Sequence, residues 1–285
     1  MASGNEIREF LTTRRGRLTP ERAGLRAYGR RRRVSGLRRE EVALLAGISV
    51  EYYTQLERGS VRGVSEEVLE AVARALQLDD VERSHMFDLV RAAKRRPGRA
   101  RRTGERIRPG VQRVLDTITE SAAFVRNGRL DIVSANRLGY ALYAEVFASP
   151  ERPANLARFV FLDQQSRQFY GDWDGIADAA VGSLRAEAGR DPYDRRLTDL
   201  VGELSTRSED FRVRWASHDV RDYRTGTQPF RHPLVGDLAL SYEAFQLTAD
   251  IGLTLIVYTA EADSPSQEAL NRLANRSMNP DSASR

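Results

Sequence analysis

The sequence predicts two domains. The first is an all-α domain of five short helices with a helix-turn-helix at its centre; the second is an α+β domain with one antiparallel sheet and flanking helices. Three observations predict this. Apolar residues recur at helical spacing up to about residue 93. From Val111 onward, short β-prone runs alternate with helical stretches. The charge balance changes at the same place: residues 1–110 carry 25 Lys+Arg against 15 Asp+Glu, and the remainder 20 against 25. A chain of 285 residues also suits two domains at roughly 100–200 residues each.

The first helix is read over Asn5–Arg15, with Ile7, Phe10 and Leu11 on one face. A basic loop with "GRRRRVSG" follows. Arg38–Ala46 forms the second helix, with Val42, Leu45 and Ala46 as its apolar side, and Gly47 ends it by taking the left-handed backbone. Ser49 caps the third helix, which runs to about Arg58. Ser65 caps a fourth, "SEEVLEAVARALQL", and Asp79 with Glu82 forms a capping box for a fifth, with Met86, Phe87, Leu89 and Val90 facing inward.

Residues 94–110 read as a basic linker with one apolar residue, Ile107. In "FVRNGRLDIVSAN", Asn127-Gly128 marks a β-hairpin. A helix is expected over Arg137–Phe147, then helices in "GIADAAVGSLRAEAG", "YDRRLTDLVGELSTRS" and "DFRVRWASHD". Three strands follow in "TQPFRHP", "GDLALSYEAFQL" and "GLTLIVYTA". This order predicts one antiparallel sheet over residues 111–262, with helices on one face. Residues 263–285 read as a polar, frayed tail with a short helix at Ser266–Ala274.

Composition narrows the chemistry. There is no cysteine, which excludes disulfides, thiolate nucleophiles and cysteine-based metal sites. No stretch is apolar enough to span a membrane, and the N-terminus lacks the apolar core of a signal peptide, so a cytoplasmic location with no membrane partner is expected. No nucleophile elbow, P-loop or dinucleotide fingerprint occurs, and His85, His218 and His232 are too scattered for a metal site. His218 adjoins Asp219, but neighbours on a helix do not face each other. Neither enzymatic activity nor a cofactor is expected.

The stretch "EEVALLAGISVEYYTQLERG" has helix-turn-helix spacing, and its second helix is sized for a DNA major groove. Tyr53 and Leu56 turn into the core, which leaves Val50, Glu51, Thr54, Gln55 and Arg58 outward. Gln can bond adenine twice, Glu can accept from cytosine and Val can touch a thymine methyl. Arg38 and Arg39 stand at a helix N-terminus, where anions are favoured. The basic first half suits a polyanion, whose phosphates supply most sequence-independent affinity.

Over Leu37–Gly59 this stretch resembles the helix-turn-helix of the phage-repressor-like (XRE) transcription regulators. The resemblance implies base reading by Val50, Glu51 and Gln55, with Thr54 nearby, and phosphate contacts by Arg39, Arg58 and Arg62. It also implies a buried pair of Glu57 with Arg14 or Arg15. The loop before the second helix is longer than in a minimal repressor and holds Arg30, Arg31, Arg32 and Arg33, candidates for the DNA backbone or minor groove.

The blocks "PANLARFVFLD", "DWDGIADAAVGSLRAEAGRDPYDRRLTDLVGELSTRSEDFRVRWASHDVR", "FRHPLVGDLALSYEAF" and "LTLIVYTAE" are similar to the MmyB-type ligand-binding domain. That resemblance implies a PAS-like fold whose cavity holds a fatty-acid-like ligand. An acyl chain needs an apolar tunnel with a few polar groups at its mouth. The aromatic candidates are Phe124, Phe159, Phe161, Tyr170, Trp173, Trp215, Tyr242, Phe245 and Tyr258. Arg158, Arg214 and His218 are candidates for a carboxylate.

Together these readings predict a sequence-specific regulator that binds a double-stranded DNA operator as a homodimer, because paired half-sites need two reading helices. Two readings compete. One keeps the DNA-binding domain and makes the second domain an interaction or dimerisation module without ligand. The other is a non-specific nucleic-acid binder using the arginine loop and linker, told apart by salt slope and specificity ratio.

Overall fold

The computed structural model describes residues 2–25, 35–61, 63–94, 106–217 and 224–278. By compactness the chain divides into two units. One holds residues 1–100 with 185–198 and 214–221; the other holds 101–184, 199–213 and 222–285.

In the first unit, α1 (Ala2–Arg17), α2 (Arg39–Ala46), α3 (Val50–Glu57), α4 (Glu66–Ala75) and α5 (Asp80–Lys94) surround one core. Each predicted inward residue of α1, Ile7, Phe10 and Leu11, is buried, as are Val42 and Ala46 of α2, Val72 of α4 and Met86 and Leu89 of α5. Leu45 and Phe87 are only half-buried. Gly47 closes α2 at φ 66°, with its N–H on the carbonyls of Ala43 and Leu44. The capping box before α5 forms both ways: Glu82 N–H donates to Asp79 Oδ1 at 2.8 Å, and Asp79 N–H to Glu82 Oε2 at 3.2 Å. His85 is buried edge-on against Phe10, with ring centroids 5.3 Å apart.

In the second unit the sheet has the order β2-β1-β5-β4-β3, with every described neighbour pair antiparallel. The strands are β1 (Ala122–Asn127), β2 (Ile132–Ala135), β3 (Thr225–His232), β4 (Gly236–Gln246) and β5 (Leu253–Thr259). Side chains alternate between faces. Phe124 and Arg126 of β1 share a face with Ile256 and Tyr258 of β5, Tyr242 of β4 and Gln228 of β3, as the registers require.

The opposite face is not bare. A helix absent from the sequence reading, α6 (Pro109–Thr117), begins inside the expected linker and packs Leu115 on Ala123, Val125 and Leu253. Helices therefore cover parts of both faces. The expectation of one covered face failed because α6 is short and carries a single fully buried position.

The expected helix over Arg137–Phe147 is two helices, α7 (Arg137–Leu142) and α8 (Ala144–Ala148), parted at Tyr143. No Pro or Gly sits at the break. There the Tyr143 ring turns into the core edge-on to Phe124, with centroids 5.1 Å apart. Asn136 caps α7, accepting from Gly139 N–H at 2.7 Å and from Ala123 N–H of β1 at 3.0 Å. Gly139 suits this close approach, because a Cβ there would lie 2.4 Å from the Ala123 carbonyl oxygen.

Two further short helices follow: α9 (Leu156–Leu162) lies in a stretch read only as a family-like block, and α10 (Ser166–Phe169) in a stretch given no element. The helices α11 (Trp173–Arg190), α12 (Arg195–Arg207) and α13 (Glu209–Ala216) fall where predicted.

The C-terminal stretch carries the short helix expected at Ser266–Ala274, extended at both ends. It forms α14 (Pro265–Met278), which packs on α7 and β4 and buries Ala269, Leu270 and Leu273. These three form an apolar stripe at positions i, i+1 and i+4. Leu270→Ala is expected to cost about 2–5 kcal/mol, the usual range for emptying a buried leucine site. Urea unfolding checks this; an unchanged midpoint would mean that the helix is not part of the cooperative unit.

Candidate functional site

The first candidate site is the outer side of α3. Ser49 accepts from Tyr52 N–H at 3.1 Å and starts the helix. Tyr53 and Leu56 are 0% and 1% exposed, which clamps one side of α3 into the core. On the other side Val50, Glu51 and Gln55 are exposed, and Thr54 is half-buried. Arg58, the C-cap residue, is also exposed.

Glu57 lies at the base of this helix, 1% exposed. Arg15 of α1 donates to it through Nε at 2.8 Å and Nη2 at 3.1 Å. Arg39 of α2 donates through Nε at 3.0 Å and Nη2 at 2.8 Å, and Thr12 adds a hydroxyl at 3.3 Å. Arg15 also donates to the Leu37 carbonyl at 2.9 Å. Burial pushes the Glu57 carboxyl up. The hydrogen bonds and charge of Arg15, then of Arg39, outweigh burial and hold it below its ordinary value. Of the two arginines proposed as its partner, Arg15 makes the pair; Arg14 instead meets Glu82 at 3.1 Å.

Arg39 was singled out for phosphate. Its guanidinium is bound to Glu57, while nearly half its side-chain surface stays exposed. Arg38 is exposed beside it, its backbone N–H on Glu41 Oε2 at 2.7 Å. Arg62, Arg30, Arg31, Arg32, Arg33 and His218 lie outside the described residues.

The second candidate site is a cavity of about 100 Å³ in the second unit. The inward sheet face supplies Phe124, Arg126, Gln228, Tyr242, Ile256 and Tyr258. Across from them stand Leu156 and Val160 of α9 and Ile176, Ala179, Ala180 and Ser183 of α11, with Leu130, Tyr143 and Tyr170 at the sides. The small residues of α11 leave the space open.

At one end the Tyr143 and Tyr258 hydroxyls are 2.8 Å apart, and Tyr258 donates to Gln228 Oε1 at 2.9 Å. Burial raises Tyr143, Tyr170 and Tyr258 well above the ordinary phenol value, so all three stay neutral and able to donate. Tyr242 packs over Gly226, where a Cβ would meet its ring at 3.2 Å.

Of the residues proposed for a ligand, Phe124, Tyr170, Tyr242 and Tyr258 line this cavity, whereas Phe159, Phe161, Trp173, Trp215, Phe245, Arg158 and Arg214 are not among its lining residues. Phe161 packs edge-on against Phe211 at 5.0 Å. Trp173 donates from Nε1 to the Val160 carbonyl at 3.1 Å and lies under the Arg167 guanidinium. Phe245 is 51% exposed, because the β4 register turns it to the face opposite Tyr242. Arg158 is held by Glu203 at 2.9 Å and Glu151 at 3.3 Å, away from the cavity. Trp215 is covered by Arg185 at 4.3 Å, and Arg214 is half-buried on the same helix, α13.

Arg126, Tyr143, Gln228 and Ile256 escaped the sequence reading. Two-residue alternation from Phe124 would have found Arg126. Gln228 and Ile256 needed the sheet order, and Tyr143 the break between α7 and α8.

A buried polar cluster holds the wall. Asn127 donates to Asp131 Oδ2 at 2.9 Å, and Asn155 donates to Asp131 Oδ1 at 2.8 Å and to the Arg129 carbonyl at 2.9 Å. Asn155 also caps α9 by accepting from Arg158 N–H at 2.9 Å, so the hairpin and α9 present Leu130 and Leu156 together. His232 is buried and neutral: Leu234 N–H donates to its Nδ1 at 3.2 Å, and Nε2 faces the Ala141 carbonyl. Burial lowers its pKa.

A helix-turn-helix followed by a cavity-bearing sheet domain defines a DNA-binding transcription regulator with a ligand-binding domain. Residues 6–86 match the model of a helix-turn-helix domain, and residues 107–273 match the MmyB-like transcription regulator ligand binding domain. The second match spans more than half of the chain, which belongs to that family. No curated protein matches the chain. No helix among the described residues is long and apolar enough to cross a membrane, and no three or more of their His, Asp and Glu side chains cluster as metal ligands.

Glu57→Ala leaves two arginines facing an empty buried site and is expected to cost about 3–5 kcal/mol in urea unfolding. Because the folded-state pKa of Glu57 is depressed, its stabilisation is present above the unfolded carboxylate range and is lost as pH falls through the folded value. The variant is expected to lack that part of the acid destabilisation; an unchanged acid profile would contradict the pairing.

Proposed function

We propose that the protein is a sequence-specific, ligand-responsive transcription regulator that works as a homodimer. The outer side of α3 reads operator bases through Val50, Glu51, Thr54 and Gln55. Arg38, Arg39, Arg58 and Arg62 meet phosphates, and the loop with Arg30, Arg31, Arg32 and Arg33 follows the backbone or minor groove. Arg39 does both tasks, with one edge of its guanidinium on Glu57 and its exposed surface toward DNA.

The observation that carries this reading is the exposure of Glu51 and Gln55 on a helix whose inner side is immobilised by Tyr53, Leu56 and Glu57. A base-reading edge must be both accessible and rigid, since each bidentate pair discriminates by about 1–3 kcal/mol only in good geometry.

The cavity takes a fatty-acid-like ligand in the sense of polarity, an apolar body with an acidic head. Its volume of about 100 Å³ favours a short one. The ligand shifts operator affinity by binding the DNA-competent and DNA-incompetent arrangements unequally.

On an operator selected from random sequence, Gln55→Ala is expected to lose about tenfold or more in affinity while keeping its weak, salt-sensitive binding to random DNA. Arg58→Ala should weaken all sequences alike and reduce the salt slope by about one. Quantitative gel shifts at several salt concentrations check both, and an equal loss by Gln55→Ala on every sequence would remove base reading from α3. The ligand half is checked by measuring operator affinity with acids from benzoate to decanoate. At least one should shift it several-fold; an affinity unmoved by all of them would favour an interaction module.

A further inference from the structure

The cavity has two polar ends, and they differ in kind. On β1, Arg126 lies in the sheet row of Thr254, and the Tyr258 row is that of Ala122 and Tyr242. The row between holds Phe124 and Ile256. Four residues along the strand separate the polar rows, about 13 Å at the backbone. The half-buried arginine lines the cavity at this end, and its Nη1 also donates to the Asn127 carbonyl at 3.4 Å.

At this first end the group is a permanent cation with a planar fork of N–H donors, which matches a carboxylate. At the second end, Tyr143, Tyr258 and Gln228 form a neutral hydrogen-bonded cluster. Gln228 takes the Tyr258 proton on its oxygen, and its amide also bonds the Tyr143 hydroxyl. Phenols with spare lone pairs beside an amide with two N–H bonds can both give and take a hydrogen bond. That suits a hydroxyl or carbonyl oxygen.

Size sets the third condition. An apolar cavity of roughly 150 Å³ takes one benzene ring, and drug-sized ligands fill about 300 Å³ or more. A space of about 100 Å³ is on the scale of a single ring and short of a long acyl chain.

We infer that the cavity selects a single-ring carboxylic acid carrying a second oxygen. The carboxylate sits on Arg126, the ring lies against Phe124, Ile256 and Val160, and the hydroxyl or carbonyl oxygen meets the Gln228–Tyr258–Tyr143 cluster. This rests on the ligand-binding reading above and narrows its chemical class. The cluster is the specificity element, because a site built to hydrogen-bond a ligand oxygen is left with buried unpaired groups when the analogue lacks it.

The test is calorimetric titration of the full chain with 4-hydroxybenzoate, benzoate and decanoate. The expected result is 4-hydroxybenzoate binding at least about tenfold tighter than benzoate, with decanoate weakest. Gln228→Leu should bring 4-hydroxybenzoate to benzoate's affinity, and Arg126→Met should weaken both. Where Gln228→Leu does not fold, Tyr143→Phe keeps the ring, removes one hydroxyl and should narrow the same preference. Equal binding of the two aromatic acids, or a preference unmoved by these variants, overturns the inference. Tightest binding by decanoate overturns it while leaving the ligand-binding reading intact. No binding by any of the three overturns it and removes the acid class from that reading as well.

Discussion

A single buried carboxylate organises the helix-turn-helix. Glu57 has almost no exposed surface, and a charge in that position is tolerated only when fully partnered. Its partners come from different helices, Arg15 and Thr12 from α1 and Arg39 from α2. The ion cluster therefore fixes three helices of about two to four turns, none of which would be stable in isolation. Arg15 also holds the Leu37 carbonyl just ahead of α2. The outer side of α3 inherits its rigidity from this arrangement.

The second unit uses buried amides in the same way. Asn136 accepts from Ala123 and Gly139, and its amide donates to the carbonyls of Ile118 and Ser121. It joins the start of α7 to β1 and to the end of α6. Asn155 and Asp131 join the β1–β2 hairpin to α9. These contacts make no ligand site themselves. They hold the walls apart while small α11 residues leave space between them, so the cavity follows from the packing of its frame.

The two sites suit a regulator because their demands differ. Base reading requires rigid, exposed side chains on a fixed helix. Ligand selection requires a dry space with a few donors and acceptors whose protonation is stable. Burial keeps the three phenols neutral, and Arg126 stays charged, so the polar pattern of the cavity is constant across ordinary pH.

Local signals in the sequence were enough for the elements whose causes are local. Gly47, Ser49, Ser65 and the Asp79–Glu82 pair each act within four residues, so the ends of α2, α3, α4 and α5 were legible. Asn127-Gly128 announced its hairpin for the same reason, and the inward positions of α3 followed from periodicity. What tertiary structure alone decided involves partners far apart in the chain. The break at Tyr143 carries no breaker residue, and α6 shows in its sequence only one position that packing buries. Arg39, read as a phosphate contact, lies against a carboxylate eighteen residues on. The cavity joins Arg126, Gln228 and Tyr258 of three strands with Tyr143 at the α7–α8 break, and strand order, register and the packing of that break bring them together. Periodicity states which way a side chain points from its own backbone, whereas what it meets there depends on chain segments that no local pattern encodes.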